Sequence, residues 1–443
     1  MTSLCSRPAE ALKGDISIPG DKSISHRALI LGASAVGETR ISGLLEGEDV
    51  LATAAALRCL GAGVERGDDG VWHVHGRGVG GFDEPATVLE MGNSGTAARL
   101  LIGMVASHPF TSFFTGDASL RARPMKRIIE PLAKIGADFR AHQGGRLPLA
   151  VAGARAPIPI TYALPVASAQ VKSAILLAGL NTPGLTTVVE AQPTRDHSEL
   201  MLRHFGAEVT VETAPRGGRV ISLAGHPEIA GQDIVVPGDP SSAAFPLVAA
   251  LVVADSRLTL RRVGVNPLRA GLLDCLREMG AGLTMSEARR VGGEPVADLS
   301  IEAGPLKGVD VPASRAPTMI DEYPILAVAA ACAEGVSRMH GLGELRVKES
   351  DRLSAIAEGL VRAGVKVETD ADSLIVHGGG RPPPGGCTIE TNLDHRIAMA
   401  SLVLGMTSKE PVVIDDAGPI DTSFPGFVAL MNDLGARIGA VAP

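Results

Sequence analysis

LRCLGAGVE, residues 57–65, reads as a helix that stops at Gly61 and gives way to a short alternating strand. Glycine just past a helix tolerates the left-handed backbone that ends it. A single junction of this kind is ordinary. The same junction recurs as LAKIGADFR (132–140), LRHFGAEVT (202–210), LREMGAGLT (276–284), LVRAGVKVE (360–368) and MNDLGARIG (431–439). Its glycines, Gly61, Gly136, Gly206, Gly280, Gly364 and Gly435, are separated by 75, 70, 74, 84 and 71 residues. Five near-equal spacings argue for six copies of one α/β unit, each larger than a common solenoid repeat.

A second landmark begins 40 to 44 residues before each glycine, read as a helix start from its small or polar lead and apolar continuation. The six are DKSISHR (21–27), GNSGTAAR (92–99), VASAQVKS (166–173), DPSSAAFP (239–246), IDEYPILA (320–327) and LDHRIAMA (393–400). Their Ala-rich runs predict helices buried on most sides. IPGDKSISHR (18–27) and VPGDPSSAAF (236–245) share a Pro-Gly-Asp turn. These two turns are read as the places where the chain passes between two lobes. Residues 1–20 plus 239–443 form one lobe and 21–238 the other, three units each. The two short linkers suit a hinge.

Composition narrows the function. The 443 residues are 45% hydrophobic but only 3% aromatic, so the core must be aliphatic and few rings remain for stacking on bases. A net charge of −8 argues against nonspecific binding to nucleic acid or anionic membrane. The five cysteines are odd in number and widely spaced, with no CxxC, which predicts free thiols in a reducing compartment. The N-terminal residues show no apolar signal core, and the run 245–254 is too short to span a bilayer. A cytoplasmic protein is expected.

Charged residues gather at the helix starts. Lys22, Ser23 and Arg27 crowd the first, where unpaired N–H groups and the helix dipole suit a phosphate, though such residues also serve as ordinary caps and exposed charges. Arg121 and Arg123 follow the second start, before Pro124, which would suit the first position of a helix. Ser168 and Gln170 belong to the third, and Arg195 follows in PTRDHSE. Asp321 and Glu322 open the fifth, followed by ELRVKESDRL (344–353). Read alone, that run is a solvated helix face, and Asp321 and Asp394 are helix caps. His26, His197 and His395 stand singly, without metal-ligand spacing. GRGVGG (76–81) is followed by Pro85 where a dinucleotide fold needs a helix, and no P-loop occurs.

GDKSISHR, GNSGTAAR, PVASAQVKSA, VPGDPSS, MIDEYPILA, RVKESDRL and LDHRIAM run in order from about residue 14 to 430. Together they resemble the 5-enolpyruvylshikimate-3-phosphate synthase family, in its class II branch. The resemblance implies an α/β fold of two lobes, each of three βαβαββ units, closing on substrate. It implies transfer of the enolpyruvyl group of phosphoenolpyruvate to the 5-hydroxyl of shikimate 3-phosphate with release of phosphate, and no metal or organic cofactor. It assigns Lys22, Ser23, Arg27, Ser168, Gln170, Arg195, Asp321 and Lys348 to shikimate 3-phosphate. Lys22, Gly95, Arg123, Gln170, Arg352 and Arg396 fall to phosphoenolpyruvate. Asp321 is the implied base and Glu349 the implied acid, with Lys22 left open as a sharer of the acid role. An acidic carboxyl must hold its proton near neutral pH, which burial favours and a neighbouring Lys348 would oppose.

Glu344, Thr422 and Ala169 depart from the better-known class I pattern and carry no role. Gly95, where tolerant relatives place Ala, implies sensitivity to glyphosate, the family's competitor of phosphoenolpyruvate. The related UDP-N-acetylglucosamine enolpyruvyl transferases use a loop Cys, which GDASLRARP (116–124) lacks. An anion-binding module without catalysis would gain nothing from two carboxylates. A monomer is expected, with no nucleic-acid or membrane partner.

Overall fold

A computed structural model describes residues 2–214 and 217–441. The chain forms two compact units: Met1–Pro19, Gly238–Arg289 and Pro295–Pro443 make the first, and Gly20–Pro237 with Arg290–Glu294 the second. The short piece 290–294, which the sequence places with the first lobe, groups with the second unit. There Glu294 lies within 2.7 Å of His197 Nδ1, both side chains buried.

Six four-stranded sheets carry the repeat, three in each unit. Along each repeat the strands lie in the order first, second, fourth, third. The first pair is parallel and the return strand antiparallel to its neighbours, as in the sheet built from Leu89–Glu90, Thr111–Thr115, Asp138–His142 and Arg146–Ala152. A parallel pair needs a crossover, and a helix supplies it. Three repeats are contiguous in sequence: 89–152, 161–224 and 310–379. The other three borrow a remote strand. Asp233–Val235 joins Glu38–Ser42, Lys13–Ser17 joins Arg257–Gly264, and Leu4–Arg7 inserts between Val412–Ile414 and Arg437–Ala440.

All six repeat glycines adopt positive φ, from 83° at Gly364 to 116° at Gly136. Each follows a helix by one or two residues: Glu48–Cys59, Lys126–Ile135, His197–His204, Gly271–Glu278, Arg352–Arg362 and Phe427–Asp433. The six sequence-read starts open the helices Lys22–Ser34, Gly95–Val105, Ala169–Leu180, Pro240–Val252, Tyr323–Cys332 and His395–Thr407. Asp21, Ser94, Ser168, Asp239 and Asp394 each accept an amide from the first turn. Side chains satisfy N–H groups that the helix leaves unpaired. Pro246 sits inside its helix without ending it, and all thirteen residues of His395–Thr407 are buried. Each unit has its own largely aliphatic core. Among the described residues all five cysteines are free, and no helix is long and apolar enough to cross a membrane.

Candidate active site

In the second unit, the helix Lys22–Ser34 places three polar groups at its start. Asp21 caps it by accepting from the Ile24 amide at 2.8 Å. Lys22 Nζ is 3.0 Å from Asp49 Oδ2, and Ser23 is half-buried. Arg27, only 5% exposed, points inward. It donates to Ser198 Oγ at 2.8 Å, to the Ser23 carbonyl at 2.9 Å and to Ser173 Oγ at 2.7 Å. None of these acceptors is a carboxylate. Burial pushes its pKa down to about 10, against the more distant Glu199, Asp21 and Glu294, and half-buried Arg195 pushes the same way as burial. At neutral pH the guanidinium remains charged, a buried cation held by neutral oxygens. Behind it, burial and then Lys22 and Arg27 drive His26 well below the usual imidazole range, so this ring is neutral.

A second group surrounds Gly95. Arg123 ends the short helix Ala118–Ala122 and donates to Asn93 Oδ1 at 2.6 Å and Ser119 Oγ at 3.1 Å. The next helix starts at Lys126, so Pro124 stands outside it and not at its first position. Gln170, in the first turn of Ala169–Leu180, accepts from Arg99 at 2.8 Å and donates to Thr96 Oγ1 at 3.1 Å. A methyl group on Gly95 would lie 2.8 Å from Arg99 Nη1 and 3.3 Å from Arg123 Nη1. Ser168 caps its own helix, accepting from the Val171 amide at 3.4 Å.

In the first unit the acidic residues converge on one cation. Arg352 is 1% exposed. Its Nε is 2.7 Å from Asp394 Oδ2, its Nη1 is 3.2 Å from Asp321 Oδ1, and its Nη2 is 2.5 Å from Glu349 Oε2. Burial alone would lower the Arg352 pKa, but Asp394, Glu349 and Asp321 outweigh it and raise it. Burial likewise pushes Asp394 up, and Arg352 and then His395 overcome that to hold it low. Lys348 Nζ lies 3.5 Å from Asp321 Oδ1. Arg396 donates to the Asp321 carbonyl at 3.1 Å.

Two bland readings fail against this geometry. Asp321 does not cap its helix: Glu322 holds the cap position and makes no side-chain cap bond. Nor is ELRVKESDRL a solvated helical face. Residues Gly343–Val347 form a short 3-10 turn, the chain leaves the helical path, and the helix begins only at Arg352, capped by Asp351. The cation against Glu349 is Arg352, whereas Lys348 turns to Asp321. By contrast Asp394 caps its helix, accepting from the Arg396 amide at 2.9 Å, and grips Arg352 as well.

Sequence reasoning passed over Arg99, although it lies in GNSGTAAR one helical turn after Gly95, on the same face. It noted Glu322 at the fifth start but gave it no role; this buried carboxylate accepts from Ser241 Oγ and lies 3.7 Å from Arg269 and 3.9 Å from Arg396. Nothing local in the sequence joins Ser241, Arg269 and Glu322, since they come from three separate elements.

The family described as EPSP synthase (3-phosphoshikimate 1-carboxyvinyltransferase) matches residues 6–431. A 3-phosphoshikimate 1-carboxyvinyltransferase of Paramagnetospirillum magneticum is 65% identical over 440 residues, covering 99% of both chains. One from Rhodospirillum rubrum is 61% identical, covering 97% of this chain and 96% of its own. Among solved structures, an EPSP synthase of Acinetobacter baumannii aligns over 100% of both chains with a TM-score of 0.89 at 44% identity. The enolpyruvyl transferase NikO of Streptomyces tendae aligns over 100% of both with a TM-score of 0.77 at 19% identity, a likeness of fold alone.

Proposed function

The chain belongs to the EPSP synthase family, and on that premise we propose which residues carry each part of the reaction. The protein is a transferase that moves the enolpyruvyl group of phosphoenolpyruvate to the 5-hydroxyl of shikimate 3-phosphate, releasing phosphate. The two compact units serve as its two lobes of three repeats, and it works as a cytoplasmic monomer.

Lys22, Ser23, Arg27, Ser168, Gln170 and Arg195 receive shikimate 3-phosphate, with Asp321 and Lys348 facing its ring. The buried, carboxylate-free Arg27 supports this part, because a dianion gains most from a cation already stripped of water. Lys22, Gly95, Arg123, Gln170, Arg352 and Arg396 receive phosphoenolpyruvate, where the planar Arg fork suits carboxylate and phosphate.

The chemistry needs a base to take the 5-hydroxyl proton and an acid to protonate the vinyl CH2. The new C–O bond forms at the central carbon. The bond to the phosphate oxygen then breaks, and the methyl group returns a proton to restore the double bond. Asp321 is the base, and Glu349, with Lys22 sharing the role, is the acid. Arg352 supports a link between binding and acidity. It faces three carboxylates, so an incoming anion competes with Glu349 for its Nη2 edge. A carboxylate that loses its cation in a dry site takes up a proton.

The observation that carries this reading is the convergence of Asp321 and Glu349 on Arg352, two carboxylates beside cations where anion binding alone needs none. Phosphate release tests it. The protein should liberate phosphate from phosphoenolpyruvate with shikimate 3-phosphate and not with UDP-N-acetylglucosamine. Release with the nucleotide sugar, or with neither acceptor, overturns it.

A further inference from the structure

Lys172 has no exposed surface, and no step of the reaction uses it. Burying an ammonium is costly unless opposite charges meet it closely. Its Nζ, carried on the helix Ala169–Leu180, lies 2.7 Å from Glu199 Oε1 and 3.2 Å from Glu190 Oε2, and it donates to the Thr194 carbonyl at 3.4 Å. Both carboxylates are also buried. Glu190 in turn accepts from the Thr194 amide at 3.2 Å and the Thr194 hydroxyl at 2.8 Å. The segment 190–199 is therefore folded around one ammonium, and this segment carries Arg195.

The next residue along each helix makes the second half of the argument. Ser173 follows Lys172, and Ser198 precedes Glu199. Their hydroxyls are 2.7 Å apart, and each accepts from Arg27. The Lys172–Glu199 pair and the Ser173–Ser198 pair are consecutive rungs between two helices, and Arg27 grips the second rung. Lys172 and Arg27 balance Glu190 and Glu199, two cations against two anions. Glu199 is also the leading opposite charge acting on Arg27.

We propose that Lys172 is a positioning residue for shikimate 3-phosphate. It neutralises Glu190 and Glu199 and so sets Arg27 and Arg195 in the geometry the phosphate requires. The proposal rests on the assignment of Arg27 and Arg195 to that phosphate. Without Lys172 the buried carboxylates lose the cation that joins them, the rung opens, and Arg27 trades its hydroxyl acceptors for a direct carboxylate partner.

The test compares Lys172→Met with wild type in steady-state kinetics for each substrate and in calorimetric binding of shikimate 3-phosphate. The expected result is a rise of about tenfold or more in KM and Kd for shikimate 3-phosphate, in line with small displacements of positioning groups. KM for phosphoenolpyruvate should move less than about twofold on the same reasoning. If Lys172→Met does not fold, Lys172→Gln, which keeps a hydrogen-bond donor but no charge, is read in its place, with the same expectation. A folded variant with lowered thermal stability and an unchanged KM for shikimate 3-phosphate overturns the proposal, since a purely structural lysine behaves that way. Arg195→Ala separates the two levels. If it leaves KM for shikimate 3-phosphate unchanged, the phosphate assignment itself fails and the proposal falls with it. If it raises that KM while the Lys172 variants do not, only the role of Lys172 fails.

Discussion

Asp321 is held 3.2 Å from Arg352 and 3.5 Å from Lys348, and this shapes what its substitution should do. Asparagine keeps the size and one oxygen acceptor but cannot take a proton. Turnover of Asp321→Asn should fall by on the order of a hundred- to ten-thousandfold, the usual worth of a general base. Binding of shikimate 3-phosphate should persist, because removing a negative charge from beside two cations does not weaken an anion. Rapid-quench turnover and calorimetry check the two halves, and turnover within about threefold of wild type would remove Asp321 from the mechanism. Gly95 raises a question of discrimination. An added methyl meets Arg99 at 2.8 Å and Arg123 at 3.3 Å, so both guanidinium groups must shift. Arg99 is tied to Gln170, and the disturbance reaches that side chain too. Gly95→Ala should therefore raise the ratio of the glyphosate inhibition constant to the KM for phosphoenolpyruvate, since two ligands rarely lose equally from one steric change. A ratio that stays level in inhibition kinetics would show that this position does not discriminate. The positions of Asp321, Glu349 and Arg352 were legible as motif letters, but their sharing of one guanidinium was not. Arg352 meets Asp394 across 42 residues of sequence, and no periodicity encodes such a pairing.

Helix ends were the most legible elements, because their chemistry is local. A cap residue answers the first free amides, and a glycine answers the left-handed stop. The two repeat glycines Gly206 and Gly364 separate that conformational requirement from packing. At Gly206, φ is 100° and the nearest atom to an added Cβ is a carbonyl oxygen 3.9 Å away, so only backbone strain opposes a side chain. At Gly364, φ is 83° and the Cβ would lie 2.7 Å from Pro384 Cγ. Gly206→Ala should cost about 1–2 kcal/mol, the left-handed penalty alone. Gly364→Ala should cost roughly 1–3 kcal/mol more, from overpacking against a rigid ring. Urea unfolding of both variants checks the ordering, and equal costs would mean that the Pro384 segment yields freely. Strand membership was far less legible. The sequence places residues 1–20 with 239–443, yet nothing in it marks Leu4–Arg7 as the strand between Val412–Ile414 and Arg437–Ala440. Sheet pairing joins residues distant in sequence, and a short strand carries no mark of its partner.

Those borrowed strands make the two units unequal as folding problems. The second unit closes all three of its sheets within Gly20–Pro237, because Asp233–Val235 returns to pair with Glu38–Ser42. Its core draws only on residues of that span, from Ile24 to Val236. The first unit cannot close its sheets from 238–443 alone. Leu4–Arg7 is an inner strand of one sheet, and Lys13–Ser17 is the parallel edge of another. Leu12 and Ile18 from the same N-terminal stretch are buried in its core. Without residues 1–19, the strands Val412–Ile414 and Arg437–Ala440 lose the partner that joins them, and their buried backbone groups go unpaired. A fragment spanning 20–237 should therefore fold alone, with a single cooperative urea transition and dispersed amide resonances. It gives up the contact of His197 with Glu294. A fragment spanning 238–443 should show neither property until a peptide of residues 1–19 is added. The peptide should then restore cooperative unfolding with a midpoint that rises with peptide concentration, as for any ligand that binds only the folded state. If 238–443 folds cooperatively without the peptide, the borrowed strands are dispensable and the repeat tolerates missing a strand. If 20–237 fails to fold although its three sheets are complete, closure of the sheets is not what makes a unit independent.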